Sequence, residues 1–281
     1  MGRSRRVGLD LRPGPFFKAA ATRLDLRSRK GLPVTVAGAI AAVSFLAFLV
    51  VAEDIVGQAK LALDTSAITA VNALMNPVLT RVMWVVTHLG DFPMMVVEVS
   101  VAAVLLAVWG HPRRAGSVVL LVSVGSVLVE TLKPVFARPR PTVLVELLAK
   151  PGSMSFPSGH AMAGLLLFGT LALMLSASRL PRWVRVWGSL GTLLLGLTIG
   201  VSRVYLGVHY ASDVLGAWLL GTTMLATWAA AVLVWGRTQP PIEERVVHPW
   251  GRLWWRWALV GAGGVLLVVA LVLDTAHMVI P

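Results

Sequence analysis

The sequence predicts an all-α, polytopic membrane bundle of seven spans. Three observations lead there. The chain is 57% hydrophobic and only 14% charged. Its apolar stretches repeatedly reach about 18 residues, enough to cross a hydrocarbon layer of ~30 Å as helix. Its Lys and Arg residues collect in alternate connecting segments, as they do when successive loops lie on opposite sides of a membrane. A length of 281 residues suits one bundle with short loops. The chain has no cysteine, which excludes disulfides and thiolate chemistry. A net charge of +12 would suggest nucleic acid in a soluble chain. Here loop position accounts for the basic residues, and no nucleic-acid partner is expected.

Residues 1–33 hold nine Lys/Arg around the irregular Arg12-Pro13-Gly14-Pro15. They read as a basic cytoplasmic tail that fixes topology, and binding to anionic lipid is compatible with that role. The apolar run 34–51 is the first span. No small-x-small cleavage site follows it, so it is read as uncleaved. Residues 52–66 carry Glu53, Asp54 and Asp64 and belong outside. Residues 67–89 mix apolar groups with Asn72, Asn76, Pro77, Arg81 and His88, which suits an amphipathic helix in the outer interface. Spans two to six follow at 92–109, 116–132, 161–176, 186–201 and 214–235. Between them lie the inner turn His111-Pro112-Arg113-Arg114, an outer loop over 134–157, and an inner loop marked by Arg179, Arg182 and Arg185. Residues 236–256 form an inner linker, and Trp254, Trp255 and Trp257 near its end suit a membrane interface. The seventh span is 258–273. The chain thus divides into a tail (1–33), the main bundle (34–235), and the linker with its additional span (236–281). Gly196 and Gly200 have the GxxxG spacing, whose ordinary meaning is close helix packing.

Charge tests this topology. Of 25 Lys/Arg, eighteen fall in the inner segments. The others are Lys60, Arg81, Lys133, Arg138, Arg140, Lys150 and Arg203. The reverse orientation would put the large excess outside.

Three polar clusters then share the outer face: Lys133 to Pro141, Pro157-Ser158-Gly159-His160, and Ser202 to Asp213. In the third, His209 and Asp213 are four residues apart and share a face if the sixth helix begins there. The carboxylate would fix the imidazole tautomer and make the other nitrogen a better nucleophile or base. On its own such a pair reads more simply as a helix-end hydrogen bond. Arg203 adds a planar cation suited to phosphate oxygens. The second cluster reads as a helix start, capped by Ser158 or Ser155, with free amides that favour an anion. Gly159 permits close backbone approach, and His160 can give or take a proton there. Alone, a capped helix with an incidental histidine fits equally well. In the first cluster Lys133 and Arg140 offer separate cations around stiffening prolines. An interface-anchoring loop is the ordinary alternative, and the scarcity of cations on this side argues against it. Arg138 is an anchor or a supporting group. Glu130 can pair with Lys133 or with another span, while His88, Gly90 and Asp91 read as a simple helix-end turn, with lining of a substrate entrance as the less favoured alternative.

Together the clusters describe phosphate chemistry at a membrane surface. Three cations and a helix N-terminus would hold a phosphoryl group. His209 would attack phosphorus and His160 would protonate the departing oxygen, then serve as base for water. Arg and Lys supply the charge stabilisation, so no metal or other cofactor is expected, and no dense carboxylate cluster is present to hold one.

These residues resemble the signature of the type 2 phosphatidic acid phosphatase (PAP2) superfamily. Its pattern is Lys-x6-Arg-Pro, then Pro-Ser-Gly-His, then Ser-Arg-x5-His-x3-Asp. Here it reads Lys133…Arg140-Pro141, Pro157-Ser158-Gly159-His160 and Ser202-Arg203…His209…Asp213, with every position filled in order over roughly residues 55–235. The resemblance implies that Lys133, Arg140, Ser158, Gly159 and Arg203 bind phosphate. It implies that His160 is the general acid, His209 the nucleophile and Asp213 its orienting partner. Membrane members of the family are helical bundles that dephosphorylate lipid phosphates or diphosphates, usually on a six-span core. The seventh span and long basic tail depart from that pattern.

The expectation is therefore a multi-pass lipid phosphatase of the cell membrane, with the N-terminus cytoplasmic and the site facing outside. The favoured substrate is a polyprenyl diphosphate of undecaprenyl or decaprenyl type, as released in bacterial wall synthesis. Phosphatidic acid or phosphatidylglycerol phosphate is the close alternative. A lipid phosphotransferase and a non-enzymatic lipid-binding or transport protein are the competing classes. The intact signature argues against the last.

Overall fold

The computed structural model describes residues 31–57, 62–141 and 152–235, and every regular element among them is helical. The helices are α1 (Gly31–Val56), α2 (Ala62–Leu74), α3 (Pro77–His88), α4 (Phe92–Val108), α5 (Pro112–Phe136), α6 (Gly159–Ser176), α7 (Ser189–Tyr205, entered through a π turn, Val184–Gly188) and α8 (Ala211–Trp235). Most of the expected basic tail, together with Lys60, Lys150, the inner linker and the seventh span, lies outside the described residues.

α1, α5, α6, α8 and the run from Val184 to Tyr205 are each long and apolar enough to cross a membrane. The second span, expected as an independent helix over 92–109, is different. α4 has 17 residues and meets the length test only together with α3, from which it is bent by 62°. The bend falls at Leu89-Gly90-Asp91, and α4 restarts with a proline in its first turn, where a missing amide costs nothing. Residues 67–89 likewise form two helices rather than one. The Asn76 side chain accepts a hydrogen bond from the Leu79 amide at 2.9 Å and Pro77 opens α3. α1 runs on past Glu53 and Asp54, which sit in its last turns instead of in a loop.

α6 is the central helix. Ala161, Met162, Leu166 and Leu167 are fully buried, and the helix packs against α5, α7 and α8. α1 lies along α8, and α4 along α5. The two spaced glycines serve different neighbours. A Cβ on Gly196 would stand 2.7 Å from the Gly164 carbonyl oxygen of α6, and one on Gly200 would stand 2.7 Å from the Trp218 ring of α8. α7 therefore sits in backbone contact with α6, as small residues allow.

Alternation of direction brings the C-terminal ends of α5 and α7 and the N-terminal ends of α6 and α8 to one end of the bundle. α2 and α3 fold over that end. Val71, Tyr205 and Leu206 form a small buried cluster with Ile68, Met75, Leu79 and Met83. The Tyr205 hydroxyl shares a 2.9 Å hydrogen bond with Thr80 Oγ1.

Candidate active site

The third cluster is built around a turn. α8 begins at Ala211, two residues after His209, so the two residues do not share a helical face as the spacing suggested. Gly207 instead takes a left-handed backbone (φ 75°) and swings the chain back. Asp213, in the first turn of α8, then gathers the turn to itself. Its Oδ2 accepts from the Tyr210 amide at 2.9 Å, from His209 Nδ1 at 3.3 Å and, by a short bond, from Ser155 Oγ. Its Oδ1 accepts from Arg138 Nη1 at 2.5 Å. Asp213 is wholly buried, and each of these donors offsets part of the cost of burying its charge.

Arg138 is tied into this frame. Besides Asp213 it donates to Ser212 Oγ at 2.7 Å and to Asp64 Oδ2 at 2.8 Å, and its guanidinium lies 4.2 Å over the Tyr210 ring. Burial would ease its deprotonation, but the charges of Asp213 and Asp64 outweigh that and hold it above the ordinary arginine value. It is a fixed counter-charge. Asp64 completes the pair by accepting from the Ser212 amide at 2.8 Å.

This frame fixes the imidazole of His209. Nδ1 faces Asp213, while Arg140 Nη1 donates to Nε2 at 3.1 Å. The hydrogen therefore sits on Nδ1 and the lone pair on Nε2. Burial pushes the His209 pKa down to about 4, against the pull of Asp213, so the ring is neutral at ordinary pH.

The cations surround it. Lys133 lies in the last turn of α5 and donates to the exposed Glu130 at 2.5 Å. Ala137, in a left-handed conformation (φ 45°), closes that helix and turns the chain toward Arg140. Arg140 is steered by the Val208 carbonyl at 2.8 Å and the Ser153 carbonyl at 2.9 Å. Arg203, in the last turn of α7, donates to Thr87 Oγ1 at 2.6 Å, and its buried Nε has no hydrogen-bond partner. Ser158 stands at the N-cap of α6 but does not cap with its side chain. Its Oγ is buried without a partner, and Ser155, the other candidate cap, is committed to Asp213. The first amides of α6, at Gly159 and His160, lie beyond the helical ladder. His160 Nε2 donates to Asp91 Oδ1 at 2.8 Å.

One cavity of about 580 Å³ is lined by Lys133, Arg140, Gly159, His160, Arg203 and His209. It continues along Phe92 and Met95 of α4 and Val127 and Val129 of α5. Its polar end combines three cations, among them Arg203 with its partnerless Nε, which suits a multivalent anion. Its other wall is apolar. Among the described residues no group of three or more His, Cys, Asp or Glu is placed to hold a metal ion.

Nothing in the sequence pointed to a role for Asp64 or Thr87, and Asp91 read as a helix-end turn or, less favoured, as part of a substrate entrance. Asp64 lay 74 residues from Arg138 with no local motif around it. Thr87, Gly90 and Asp91 form a compact polar group between two apolar helices, a signal of the same kind as the three clusters that were found.

The family model of the PAP2 superfamily matches residues 114–239. Phosphatidylglycerophosphatase B of Bacillus subtilis is 32% identical over 182 residues, 63% of this chain and 87% of that protein. An undecaprenyl-diphosphatase of Sulfolobus acidocaldarius is 32% identical over 145 residues, 50% of this chain, and the match spans 64% of that protein's length. The crystal structure of a transmembrane PAP2-type phosphatidylglycerolphosphate phosphatase from Bacillus subtilis superposes with a TM-score of 0.59 at 26% identity, covering 68% of this chain and 94% of that one.

The burial of a neutral His209 has a measurable consequence. The unfolded chain takes up a proton near the ordinary histidine value of 6.5, the folded one only near 4. The contribution of this neutral imidazole to stability is therefore fully present above about 6.5 and is lost as the pH falls toward 4. Melting temperatures in detergent across this range should fall for the wild type and fall less for His209→Gln. Parallel curves would contradict the assigned environment.

Proposed function

The chain belongs to the PAP2 superfamily, and from that premise we propose that it is an integral-membrane lipid phosphatase working through a phosphohistidine. The observation that carries the proposal is the single cavity that joins a cationic, histidine-bearing end to an apolar wall. A lipid phosphate has those two halves.

In the proposed reaction Lys133, Arg140 and Arg203 hold the phosphoryl oxygens, with Ser158 Oγ and the Gly159 amide as neutral donors. Arg140 exchanges its hydrogen bond to His209 Nε2 for the phosphate. The freed lone pair attacks phosphorus in line, a P–N bond forms and the P–O bond to the lipid breaks. Asp213 holds Nδ1–H and stabilises the cationic ring that results. His160 gives its proton to the departing oxygen. Water then attacks phosphorus and passes a proton to His160, and the P–N bond breaks with its electron pair returning to His209. The cations stabilise charge on the equatorial oxygens throughout.

For substrate we propose a polyprenyl diphosphate of undecaprenyl or decaprenyl type, hydrolysed at the outer membrane face. The relative named as an undecaprenyl-diphosphatase supports this reading. The excess of Lys and Arg in segments expected at the opposite end of the bundle supports the outward site. Phosphatidylglycerol phosphate is the second reading, favoured by the Bacillus subtilis protein and by the solved structure.

Phosphate release from a panel of lipid phosphates and diphosphates in detergent tests the activity. His209→Ala and Arg203→Ala should each lower turnover by about 10³-fold or more. EDTA should leave the wild-type rate unchanged. Near-wild-type turnover in either variant, or loss with EDTA, would contradict the mechanism.

Orientation has its own test. The chain has no cysteine, and Gly152 is exposed with open space where a side chain would go. A Gly152→Cys variant in intact cells should react with a membrane-impermeant maleimide added outside. Labelling only after permeabilisation would reverse the topology.

A further inference from the structure

We infer that the corner between α3 and α4, carrying Thr87, Gly90 and Asp91, is a fourth functional motif whose Asp91 positions His160 for proton transfer. The inference rests on the reading of His160 as the proton donor and adds to it a residue outside the three clusters.

The geometry is specific. Asp91 Oδ1 accepts from His160 Nε2 at 2.8 Å across 69 residues of sequence. Gly90 has no room for a side chain. A Cβ there would stand 2.7 Å from His160 Cδ2 and 2.7 Å from Ile199 Cγ2. The corner backbone therefore rests directly on the imidazole. Thr87, one turn earlier, is buried and accepts from Arg203 Nη1 at 2.6 Å. One short segment thus touches both the proposed acid and a proposed phosphate ligand. The helix-cap explanation for Asp91 fails, because its side chain makes no capping bond to α4.

The chemistry follows from the tautomer. With Nε2–H held by Asp91, Nδ1 is the nitrogen left to exchange a proton with the reacting oxygens. The protonated ring carries hydrogen on both nitrogens. It gives the Nδ1 proton to the leaving oxygen and recovers one from water in the second step, and the Nε2–H···Asp91 bond persists throughout. Asp91 exchanges no proton itself. It orients the ring and favours its cationic form, as a carboxylate does beside an imidazole. His88 Nε2 lies 3.9 Å from Asp91 Oδ2, so the same carboxylate faces a second imidazole.

A positioning residue for an acid has a signature that a merely structural residue lacks. Its loss should matter when the leaving group needs a proton and matter little when it does not. The test compares kcat/KM, which reports the first phosphoryl transfer, for dioctanoyl phosphatidic acid and for p-nitrophenyl phosphate in detergent. Asp91→Asn should lose about 10- to 100-fold on the lipid, whose alkoxide leaves poorly, and less than about threefold on the aryl ester. In a His160→Ala background it should cost nothing further, and Asp91→Glu should recover part of the loss. If Asp91→Asn is not recovered folded, judged by its melting curve, Asp91→Glu carries the same comparison with a smaller expected loss. Equal losses on both substrates, an unchanged lipid rate, or an additional loss in the His160→Ala background would overturn the proposal. Should His160→Ala itself spare the lipid or lose both substrates equally, the proton-donor reading fails first and the role of Asp91 falls with it. That outcome is visible without any Asp91 variant.

Discussion

The buried carboxylate of Asp213 is the interaction on which the site depends. A charge removed from water at a helix start survives only when its oxygens are satisfied. Here four donors come from three separate stretches: Arg138 after α5, Ser155 before α6, and Tyr210 and His209 in the turn before α8. Satisfying one carboxylate therefore pins together the chain segments that bear all three polar clusters. Asp64 extends the frame to α2 by bridging Arg138 and Ser212.

The same frame divides the positive charge into two kinds. Arg138 is neutralised by two carboxylates and stacked on Tyr210, which leaves it little to offer a substrate. Arg140 and Arg203 are held mainly by neutral acceptors, the Val208 and Ser153 carbonyls and the Thr87 hydroxyl. Such partners fix direction without cancelling charge, so both guanidiniums keep their field for an anion. Lys133 stands between these cases, paired with a glutamate that is itself exposed to solvent.

The legible part of the fold was what membrane physics and phosphate chemistry impose locally. Apolar runs marked every span among the described residues, and the Lys133–Arg140, Ser158–His160 and Arg203–Asp213 spacings put the cavity-lining cations and histidines in view. What stayed hidden depends on distant pairing. Arg138 and Arg140 are two residues apart in similar surroundings, and only the fold sends one to Asp64 and the other to His209. The His209–Asp213 pair was read for the wrong local reason. A shared helical face required the helix to begin by His209; it begins at Ala211, and a turn at Gly207 makes the contact. The corner at Leu89-Gly90-Asp91 was visible as a turn, but the contacts of Asp91 with His160 and of Thr87 with Arg203 cross more than 65 residues and leave no trace in local periodicity.

The covalent bond proposed between His209 Nε2 and phosphorus can be trapped. Protein incubated with lipid phosphate carrying a labelled terminal phosphoryl group would be quenched in denaturant, digested and mapped. An acid-labile, base-stable phosphoryl label is expected on the peptide bearing His209. It should accumulate further in His160→Ala when that variant is loaded with p-nitrophenyl phosphate, and be absent in His209→Ala. Turnover with no such label, or a label on another residue, would contradict the covalent bond to His209.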